Sequence, residues 1–371
     1  MIGIITFHAA YNFGSVLQAF ALQEIIKEIC VTNSDLADCR IINYRSNLQK
    51  AMYDVFQKNS NIKNMLKNIL KLPYARDFKE KNIKFEGFIK NKLNLTEEIN
   101  SEEGFAELAK QFNCIISGSD QIWNVRAADF SYIYLLDGYH GKKISYAASL
   151  GPLKIDWSQY NRERFCSLIN EYQRISVRER GSIDNLNGIV KSNPLIHLDP
   201  TLLLSKQQWE SISSGVNYND GNFILLYCLE PTMAQLKIAK DISKKLNLPI
   251  VVLRYNNKYD YINCFVKKYN SGPADFISYI SHAKLVLTTS FHGTAFSINL
   301  HKPFFVIDGM KDNRIKNLLE LVELSERSIE QLDYNDKIMN AFDVDYKKVT
   351  SFLEREVDKS KQYLINEVLY G

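Results

Sequence analysis

Residues 285–297, LVLTTSFHGTAFS, combine an apolar strand, hydroxyl side chains, a histidine and the start of a helix. At the end of a strand, His292 can titrate near neutral pH and donate or accept a proton. The N–H groups at the helix start would bind a phosphate or carboxylate. Gly293 would let the backbone turn sharply and approach that ligand closely. The alternative is that His292 only caps the turn and hydrogen-bonds a carbonyl oxygen.

A second candidate is residues 175–181, ISVRERG, where a strand ends in two arginines around a glutamate. Arginine binds carboxylates and phosphates through paired hydrogen bonds, so Arg178 could hold an anionic ligand. The alternative is an intramolecular surface network in which Arg178 or Arg180 pairs with Glu179.

The third candidate is residues 118–124, GSDQIWN, which place a carboxylate, amides and an indole in one turn. This combination suits the binding of sugar hydroxyls and rings. The alternative is that Ser119 or Asp120 caps a helix while Trp123 lies in the core.

Two further loops are weaker candidates. His8 and Asn12 follow the first strand and could face a ligand, although His8 could also be a core residue with its hydrogen bonds satisfied. Residues 198–201, LDPT, are expected to form a turn that fixes the orientation of the domains rather than to supply a catalytic carboxylate. The motifs of P-loop nucleotidases, Rossmann dehydrogenases, zincins and α/β-hydrolases are absent from the sequence.

Stretches of strand and helix character alternate along the chain and predict α/β layers. In open α/β sheets, ligands bind outside the carboxyl ends of the strands, where the three main candidate loops lie. The fold class expected is α/β, with two Rossmann-like domains facing a cleft. Strands are predicted at 2–7, 39–44, 114–117, 143–148, 174–177, 223–229, 250–254, 285–289 and 304–307, and helices at 16–29, 233–246, 274–283, 294–300 and 344–369.

The length of 371 residues fits two domains with sizeable cores. We expect an N-terminal domain at 1–195 on the acceptor side, with a basic helical insertion at about 45–95. A C-terminal domain at 196–340 would bind the donor, and a closing helix would occupy 341–371. The Asn-, Gly- and Pro-containing segment 185–200 predicts the division.

Composition excludes several classes of protein. The net charge of +4, from 46 Lys and Arg against 42 Asp and Glu, does not indicate a nucleic-acid partner. No run approaches the ~18 to 20 apolar residues of a membrane span, and the N-terminus lacks signal-peptide features. Six cysteines without a CxxC pair predict reduced, mostly buried thiols in a cytoplasmic protein.

The charge is unevenly distributed. Residues 45–92 contain twelve Lys or Arg and four Asp or Glu, a net charge of +8. This stretch could make peripheral contact with an anionic membrane or approach an anionic substrate. We favour the simpler interpretation of a solvated, Lys-rich helical insertion.

Together these residues resemble the polysaccharide pyruvyl transferase family. The resemblance rests on GIITFHAAYNFGSVLQAFALQ, GSDQIWN, SYAASLG, SVRE, LDPT and TTSFHGTAFSINLHKPF, which occur in that order from residue 3 to about residue 305. A further similar segment covers 312–319, with Arg327 after it.

The resemblance implies a two-domain fold similar to GT-B glycosyltransferases. It also implies transfer of the pyruvyl group of phosphoenolpyruvate to two hydroxyls of a bacterial cell-envelope or capsule saccharide. The acceptor is often a lipid-linked intermediate that faces the cytoplasm. Phosphate would be released and a cyclic ketal formed. Phosphoenolpyruvate would be a co-substrate, and neither a metal nor another cofactor is expected.

On the donor side, we expect His292 to be the general acid and to contact the departing phosphate. Arg178 would hold the carboxylate or phosphate across the cleft, and N–H groups at Gly293 and Thr294 would hold the phosphate. Some family members carry an arginine where this chain has Ser290, which can donate a hydrogen bond but brings no charge. The missing cation would come from Arg314, Lys302 or Arg180, or be replaced by the helix dipole.

On the acceptor side, Asp120 and Gln121 are expected to contact sugar hydroxyls, with Asp120 a possible base. His8 and Asn12 are further candidates for this side. The protein would be cytoplasmic, or peripheral at the inner face of the membrane.

Two other functions remain open. In a glycosyltransferase that uses a nucleotide sugar, Arg178 and the helix start at Gly293 would hold a diphosphate, and His292 would serve as the base. A non-catalytic saccharide-binding protein could also have kept the fold.

Overall fold

The computed structural model describes residues 1–32, 38–56, 62–254, 264–331 and 333–370. The chain divides into two compact units. The first unit comprises Met1–Tyr53, Ile89–Leu204 and Leu353–Gly371, and the second comprises Asp54–Phe88 and Ser205–Phe352.

The first unit contains a parallel sheet with the strand order β3-β2-β1-β4-β5. Every residue of its central strands β1 and β4 is buried, as is typical of parallel sheets covered on both faces. A short parallel pair, β6 with β7, lies in the same unit. The strands are β1 (Ile2–Ile5), β2 (Cys39–Tyr44), β3 (Leu95–Ile99), β4 (Cys114–Ser117), β5 (Lys142–Ser145), β6 (Ser176–Val177) and β7 (Leu195–Ile196).

The second unit contains a parallel sheet with the order β10-β9-β8-β11-β12-β13. Its central strands β8, β11 and β12 are fully buried. The strands are β8 (Ile224–Tyr227), β9 (Ile250–Val252), β10 (Val266–Lys267), β11 (Leu285–Thr288), β12 (Phe304–Ile307) and β13 (Ser328–Ile329).

Helices connect and cover the strands, and their bounds follow in chain order. They are α1 (Phe13–Thr32), α2 (Asn47–Tyr53), α3 (Ile62–Lys71), α4 (Ala75–Lys92), α5 (Glu102–Ala109), α6 (Arg162–Ile169), α7 (Arg180–Leu186), α8 (Lys206–Ser211), α9 (Met233–Leu246), α10 (Pro273–His282), α11 (Phe291–Asn299), α12 (Asn313–Leu321), α13 (Tyr334–Lys337) and α14 (Tyr346–Leu369).

The direction of strand succession reverses within each sheet. In the first unit the reversal falls between β1 and β4, and in the second it falls between β8 and β11. Ligands of open α/β sheets bind at such switch points, outside the carboxyl ends of the strands. The loops after β4 and β11 are GSDQIWN and the SFHGT segment, so both lie where the fold favours a site. The expected α/β class with parallel sheets is confirmed.

The basic insertion expected at about 45–95 belongs only in part to the N-terminal unit. Residues 54–88 form part of the second unit. Lys84 Nζ lies 2.8 Å from Asp275 Oδ2 in that unit, and the rings of Tyr74 and Tyr269 are 5.0 Å apart. These ionic and aromatic contacts explain why the segment packs with residues that follow it by almost two hundred positions.

The other expected boundaries also differ from those observed. The division after the first unit falls at Leu204, not at residue 195, and residues 353–371 rejoin the first unit. There Tyr363 donates a hydrogen bond to the Ser145 carbonyl (3.0 Å), and Ser360 Oγ accepts one from Leu198 N (3.1 Å). The part of α14 that begins at Leu353 therefore belongs to the first unit instead of forming a separate closing element.

Cysteine burial follows the sequence expectation in part. Cys30, Cys39, Cys114 and Cys228 are buried, whereas Cys264 is exposed. Burial, reinforced by Cys30, raises the pKa of Cys39 to about 12. Among the helices of the described residues, none has the length and apolar character needed to cross a bilayer.

Candidate functional site

The turn after β4 fixes Asp120 at the switch point of the first sheet. Gly118 has a φ of +146°, and a Cβ there would lie 1.9 Å from the Tyr146 carbonyl oxygen, so only glycine fits. Asp120 itself has a φ of +68°, a left-handed conformation that is uncommon outside glycine and concentrates at functional sites. Its Oδ1 accepts a hydrogen bond from Gln121 N (2.8 Å), and its Oδ2 accepts one from Ser15 Oγ (2.5 Å).

Arg178 faces this carboxylate from a buried position. Its Nη1 lies 2.8 Å from Asp199 Oδ2 and 3.8 Å from Asp120 Oδ1, while its Nε lies 3.2 Å from Glu179 Oε2. Burial opposes the guanidinium charge, but Glu179, Asp199 and Asp120 outweigh it and raise the pKa of Arg178 above its usual range. The guanidinium is thus built into a carboxylate cluster.

Asp199 is the most buried carboxylate of this cluster. Its Oδ1 accepts hydrogen bonds from Thr201 N (3.0 Å) and Thr201 Oγ1 (2.8 Å), and its Oδ2 accepts one from Ser119 Oγ (3.3 Å). The LDPT segment was expected only to orient the domains. Within the first unit, it holds Arg178.

Glu179 is held in a similar way. It accepts hydrogen bonds from Ser149 Oγ (2.7 Å) and from Ser182 Oγ. Arg178 and Glu179 therefore pair, as the alternative interpretation of SVRERG proposed, but in the interior and not on the surface. Arg180, the first residue of α7, is exposed.

His8 lies inside the first unit. Its Nδ1 is 3.2 Å from the Thr6 carbonyl oxygen, and its Nε2 is 3.0 Å from Asn43 Oδ1. The side chain is 1% exposed. This is the core histidine of the alternative interpretation, and its position does not favour contact with an acceptor.

Asn12 and Gln121 are more accessible, since both are half-buried. Asn12 Oδ1 accepts a hydrogen bond from Gly14 N (3.0 Å) at the start of α1, and Gln121 Oε1 accepts one from Asn124 Nδ2 (2.9 Å). Trp123 is fully buried and donates to the Tyr134 carbonyl (3.0 Å). The amides of Asn12 and Gln121 can therefore face a ligand, whereas the indole of Trp123 belongs to the core.

In the second unit, His292 occupies the first turn of α11 at the switch point, and it is buried. Ser290 caps the helix. Its Oγ accepts a hydrogen bond from Gly293 N (3.5 Å), and its carbonyl oxygen accepts hydrogen bonds from Thr294 N (3.0 Å) and Thr294 Oγ1 (3.0 Å). Without a ligand, the N–H groups of Gly293 and Thr294 are therefore hydrogen-bonded to Ser290 within the helix start.

Gly293 has a packing role that the sequence did not reveal. A Cβ at this position would lie 2.3 Å from Thr288 Oγ1 and 3.0 Å from Tyr227 Cδ1. Glycine is thus required for α11 to pack closely on β11 and β8. The expected role, close approach of the backbone to a ligand, does not account for this contact.

The cations proposed to compensate for Ser290 have defined surroundings. Arg314 binds Asp312 through two contacts, Nε to Oδ1 (3.0 Å) and Nη2 to Oδ2 (2.6 Å). Burial lowers the pKa of Lys302, and nearby Lys206 and Lys284 lower it further. Arg314 is therefore already paired, and Lys302 lies in a basic environment.

The main feature that sequence reasoning missed is Ser15. It lies in the first turn of α1 and binds Asp120, a residue 105 positions later. The N-terminal motif that contains Ser15 was noted as a whole, but nothing in its local pattern indicated this partner.

Solved structures with a similar fold include two UDP-GlcNAc 2-epimerases. UDP-GlcNAc 2-epimerase from Neisseria meningitidis, bound to UDP-GlcNAc, has a TM-score of 0.54 at 11% identity, with both chains fully covered. UDP-GlcNAc 2-epimerase from Methanocaldococcus jannaschii has a TM-score of 0.51 at 15% identity, covering 100% of this chain and 99% of that one. The class defined by the fold is a GT-B-like α/β protein.

The family is defined by the sequence. A family model described as polysaccharide pyruvyl transferase matches residues 12–309. Since this range covers most of the chain, the protein belongs to the polysaccharide pyruvyl transferase family. Comparison with curated protein sequences gave no match.

Proposed function

We propose that the protein transfers the pyruvyl group of phosphoenolpyruvate to two hydroxyls of a cell-envelope or capsule saccharide. The observation that carries the proposal is the family match over residues 12–309, which includes the loops at both switch points. Those loops contain the acid, base and anion-binding groups that the reaction needs.

The proposed reaction balances without a metal or a redox partner. Protonation of the donor's methylene carbon makes the adjacent carbon electrophilic, and one sugar hydroxyl attacks that carbon. The bond to the phosphate oxygen then breaks, and the second hydroxyl closes the ketal. Overall, the two hydroxyls lose two protons; the methylene carbon gains one as it becomes a methyl group, and the released phosphate gains the other. The enzyme must supply an acid, a base and stabilisation of negative charge.

In the second unit, we assign His292 as the general acid and the start of α11 as the phosphate site. The distance between Gly293 N and Ser290 Oγ is 3.5 Å, at the outer limit of a hydrogen bond. Because this bond is weak, a phosphate oxygen can replace the hydroxyl with little loss of free energy. Ser290 can then donate its hydroxyl proton to the phosphate, while the hydroxyl of Thr294 stays bonded to the Ser290 carbonyl oxygen (3.0 Å). The α11 dipole supplies positive charge where some other members of the family carry arginine, because Arg314 is already paired with Asp312.

In the first unit, we assign Asp120 as the base that accepts a proton from the acceptor hydroxyl. Ser15, Gln121 N and Arg178 hold its carboxylate in place. Arg178 then acts as a positioning residue rather than as the clamp on the donor that the sequence suggested. Asn12 and Gln121 are the candidates for the other acceptor hydroxyls.

The acceptor is proposed to be lipid-linked and met at the cytoplasmic face of the membrane. The alternative of a nucleotide-sugar glycosyltransferase draws on the GT-B-like fold. In that case, His292 would be the base and the α11 start would hold a diphosphate.

Product analysis tests the proposal. The full chain is incubated with phosphoenolpyruvate and a lipid-linked saccharide fraction, and released phosphate and acid-labile pyruvate on the saccharide are measured. We expect equimolar amounts of both with the wild-type protein. Asp120→Asn should abolish both signals, whereas Asp156→Asn, a change at an exposed carboxylate, should leave them unchanged. Glycosyl transfer from a nucleotide sugar without any pyruvyl product would overturn the assignment.

A further inference from the structure

Helix α3 exposes an apolar stripe. Ile62, Met65, Leu66 and Ile69 are 75%, 47%, 54% and 51% exposed, respectively. Their spacing of three, one and three residues places them on one face of a helix. Leu70 and Leu72 extend the exposed apolar surface at the C-terminal end.

The polar side of the same helix is turned inward. Asn64, Lys67, Asn68 and Lys71 are half-buried. Lys71 Nζ donates a hydrogen bond to the Val55 carbonyl (3.0 Å), and burial lowers the pKa of Lys71, with a smaller contribution from Lys67. A helix on the surface of a globular protein normally has the opposite orientation, with its apolar stripe toward the core. An apolar face directed outward by anchored polar side chains marks an interaction surface.

The charge of the segment identifies the partner. Residues 62–76 contain three lysines and one arginine, with no aspartate or glutamate. An apolar stripe on a basic helix is the pattern of a helix that lies in the interface of an anionic bilayer. A symmetric contact between two copies would bring these like charges together, which is unfavourable.

We propose that α3 docks the protein on anionic phospholipid, with Ile62, Met65, Leu66 and Ile69 inserted at the boundary between headgroups and acyl chains. With ten residues, the helix is about half the length needed to span a bilayer, so it lies on the membrane. Helix α3 is then the surface through which the basic stretch 45–92 makes peripheral contact with the membrane. This docking depends on no step of the proposed chemistry, because binding to lipid requires neither donor nor acceptor.

Vesicle sedimentation tests the inference with the full chain. We expect binding to vesicles of phosphatidylglycerol and phosphatidylcholine, and much weaker binding to phosphatidylcholine alone. The double variant Leu66→Glu/Ile69→Glu should bind the anionic vesicles at least about tenfold less. Met339→Glu is the matched control, because Met339 is 83% exposed outside the helix, and its binding should equal that of the wild type.

A second measurement keeps the test independent of folding defects. Ile69→Trp retains apolar character, and its fluorescence should shift to shorter wavelength when anionic vesicles are added. Absence of wild-type binding, equal binding by the double variant, or an unshifted spectrum would overturn the inference. A concentration-dependent dimer that the double variant loses, without vesicle binding, would assign the stripe to a second copy instead. If the protein bound the vesicles but showed no pyruvyl transfer, the proposed function would be wrong and the membrane inference would stand.

Discussion

Arg178 and Asp199 form a buried ion pair in the first unit, with Nη1 2.8 Å from Oδ2 and side chains that are 2% and 0% exposed. The pair joins the SVRE and LDPT motifs, whose charged residues lie 21 positions apart. Asp199 is held in turn by Thr201, so the guanidinium has a fixed position from which it faces Asp120. Two motifs that are separate in the sequence therefore act together to position the Asp120 carboxylate at the switch point.

Asp199→Asn removes the negative partner while preserving side-chain size. We expect the free energy of unfolding to fall by about 3 kcal/mol, because the change breaks a buried pair. Urea unfolding followed by circular dichroism measures the loss. Asp156→Asn disrupts an exposed pair with Arg126 (3.5 Å) and should change the free energy by less than about 1 kcal/mol. Equal effects of the two substitutions would show that the buried pair does not hold the unit together.

His292→Gln removes the proposed acid but keeps a polar side chain. Turnover should fall by roughly 10²- to 10⁴-fold, the usual contribution of general acid–base catalysis, with phosphoenolpyruvate affinity and folding largely intact. Steady-state phosphate release and calorimetric titration measure the two effects. His282→Gln is the control in the same unit, since His282 Nδ1 lies 2.8 Å from the Ser278 carbonyl oxygen within α10. Turnover of His292→Gln within a few-fold of wild type would remove His292 from the mechanism.

Gly293→Ala tests the packing of α11. The added methyl group would lie 2.3 Å from Thr288 Oγ1, so the helix or the strand must move. We expect a loss of about 1 to 3 kcal/mol in the free energy of unfolding.

Gly87→Ala provides the matched control for that change. Among the described residues, apart from the neighbouring backbone of α4 itself, no atom lies within 4 Å of a Cβ at Gly87. Alanine there should stabilise the protein by about 0.4 to 1 kcal/mol. If thermal unfolding moved in the same direction for both variants, the packing role of Gly293 would be wrong.

His197 predicts a pH dependence of stability. Burial, aided by the charge of Lys359, lowers the pKa of His197 from 6.5 to about 4 in the folded protein. Its Nδ1 lies 2.8 Å from Ser176 Oγ, and its ring stacks on Tyr363 with centroids 4.2 Å apart. Between these pKa values the unfolded chain binds more protons, so stability falls as the pH is lowered from about 6.5 to 4.

The lowered pKa of His197 should reduce the free energy of unfolding by up to about 3 kcal/mol over this pH range. Urea unfolding at several pH values should show this slope in the wild type and a smaller slope in His197→Gln. An unchanged slope in the variant would assign the pH dependence to other groups.

Local patterns predicted the central elements well. The bounds of β12 and α9 agree with those expected, because β12 is a short apolar run and α9 begins at a capping box formed by Thr232 and Gln235. The strands that were not predicted, among them β3, β10 and β13, lie toward or at the sheet edges. β3 contains Thr96 and two glutamates, and β10 and β13 have only two residues each. None of these three strands therefore shows a periodic apolar pattern.

The site was predictable only to the level of single loops. The alternation of strand and helix placed His292 after β11 and Asp120 after β4, as expected. The burial of Arg178 and its partner Asp199 could not be read from the sequence, since arginine is rarely buried and its partners come from different loops. Helix starts were expected three residues late at 16 and 294, because the caps supplied by Asn12 and Ser290 add residues before the apolar pattern begins.

The most direct test of the account is a parallel thermal-shift measurement with phosphoenolpyruvate, UDP-sugars and CMP-sugars. A ligand that binds only the folded protein stabilises it by about 2.7 kcal/mol at a hundredfold excess over its dissociation constant. We predict that phosphoenolpyruvate alone raises the melting temperature and that Asp156→Asn shows the same rise. A rise with a nucleotide sugar and none with phosphoenolpyruvate would contradict pyruvyl transfer and make the protein a glycosyltransferase.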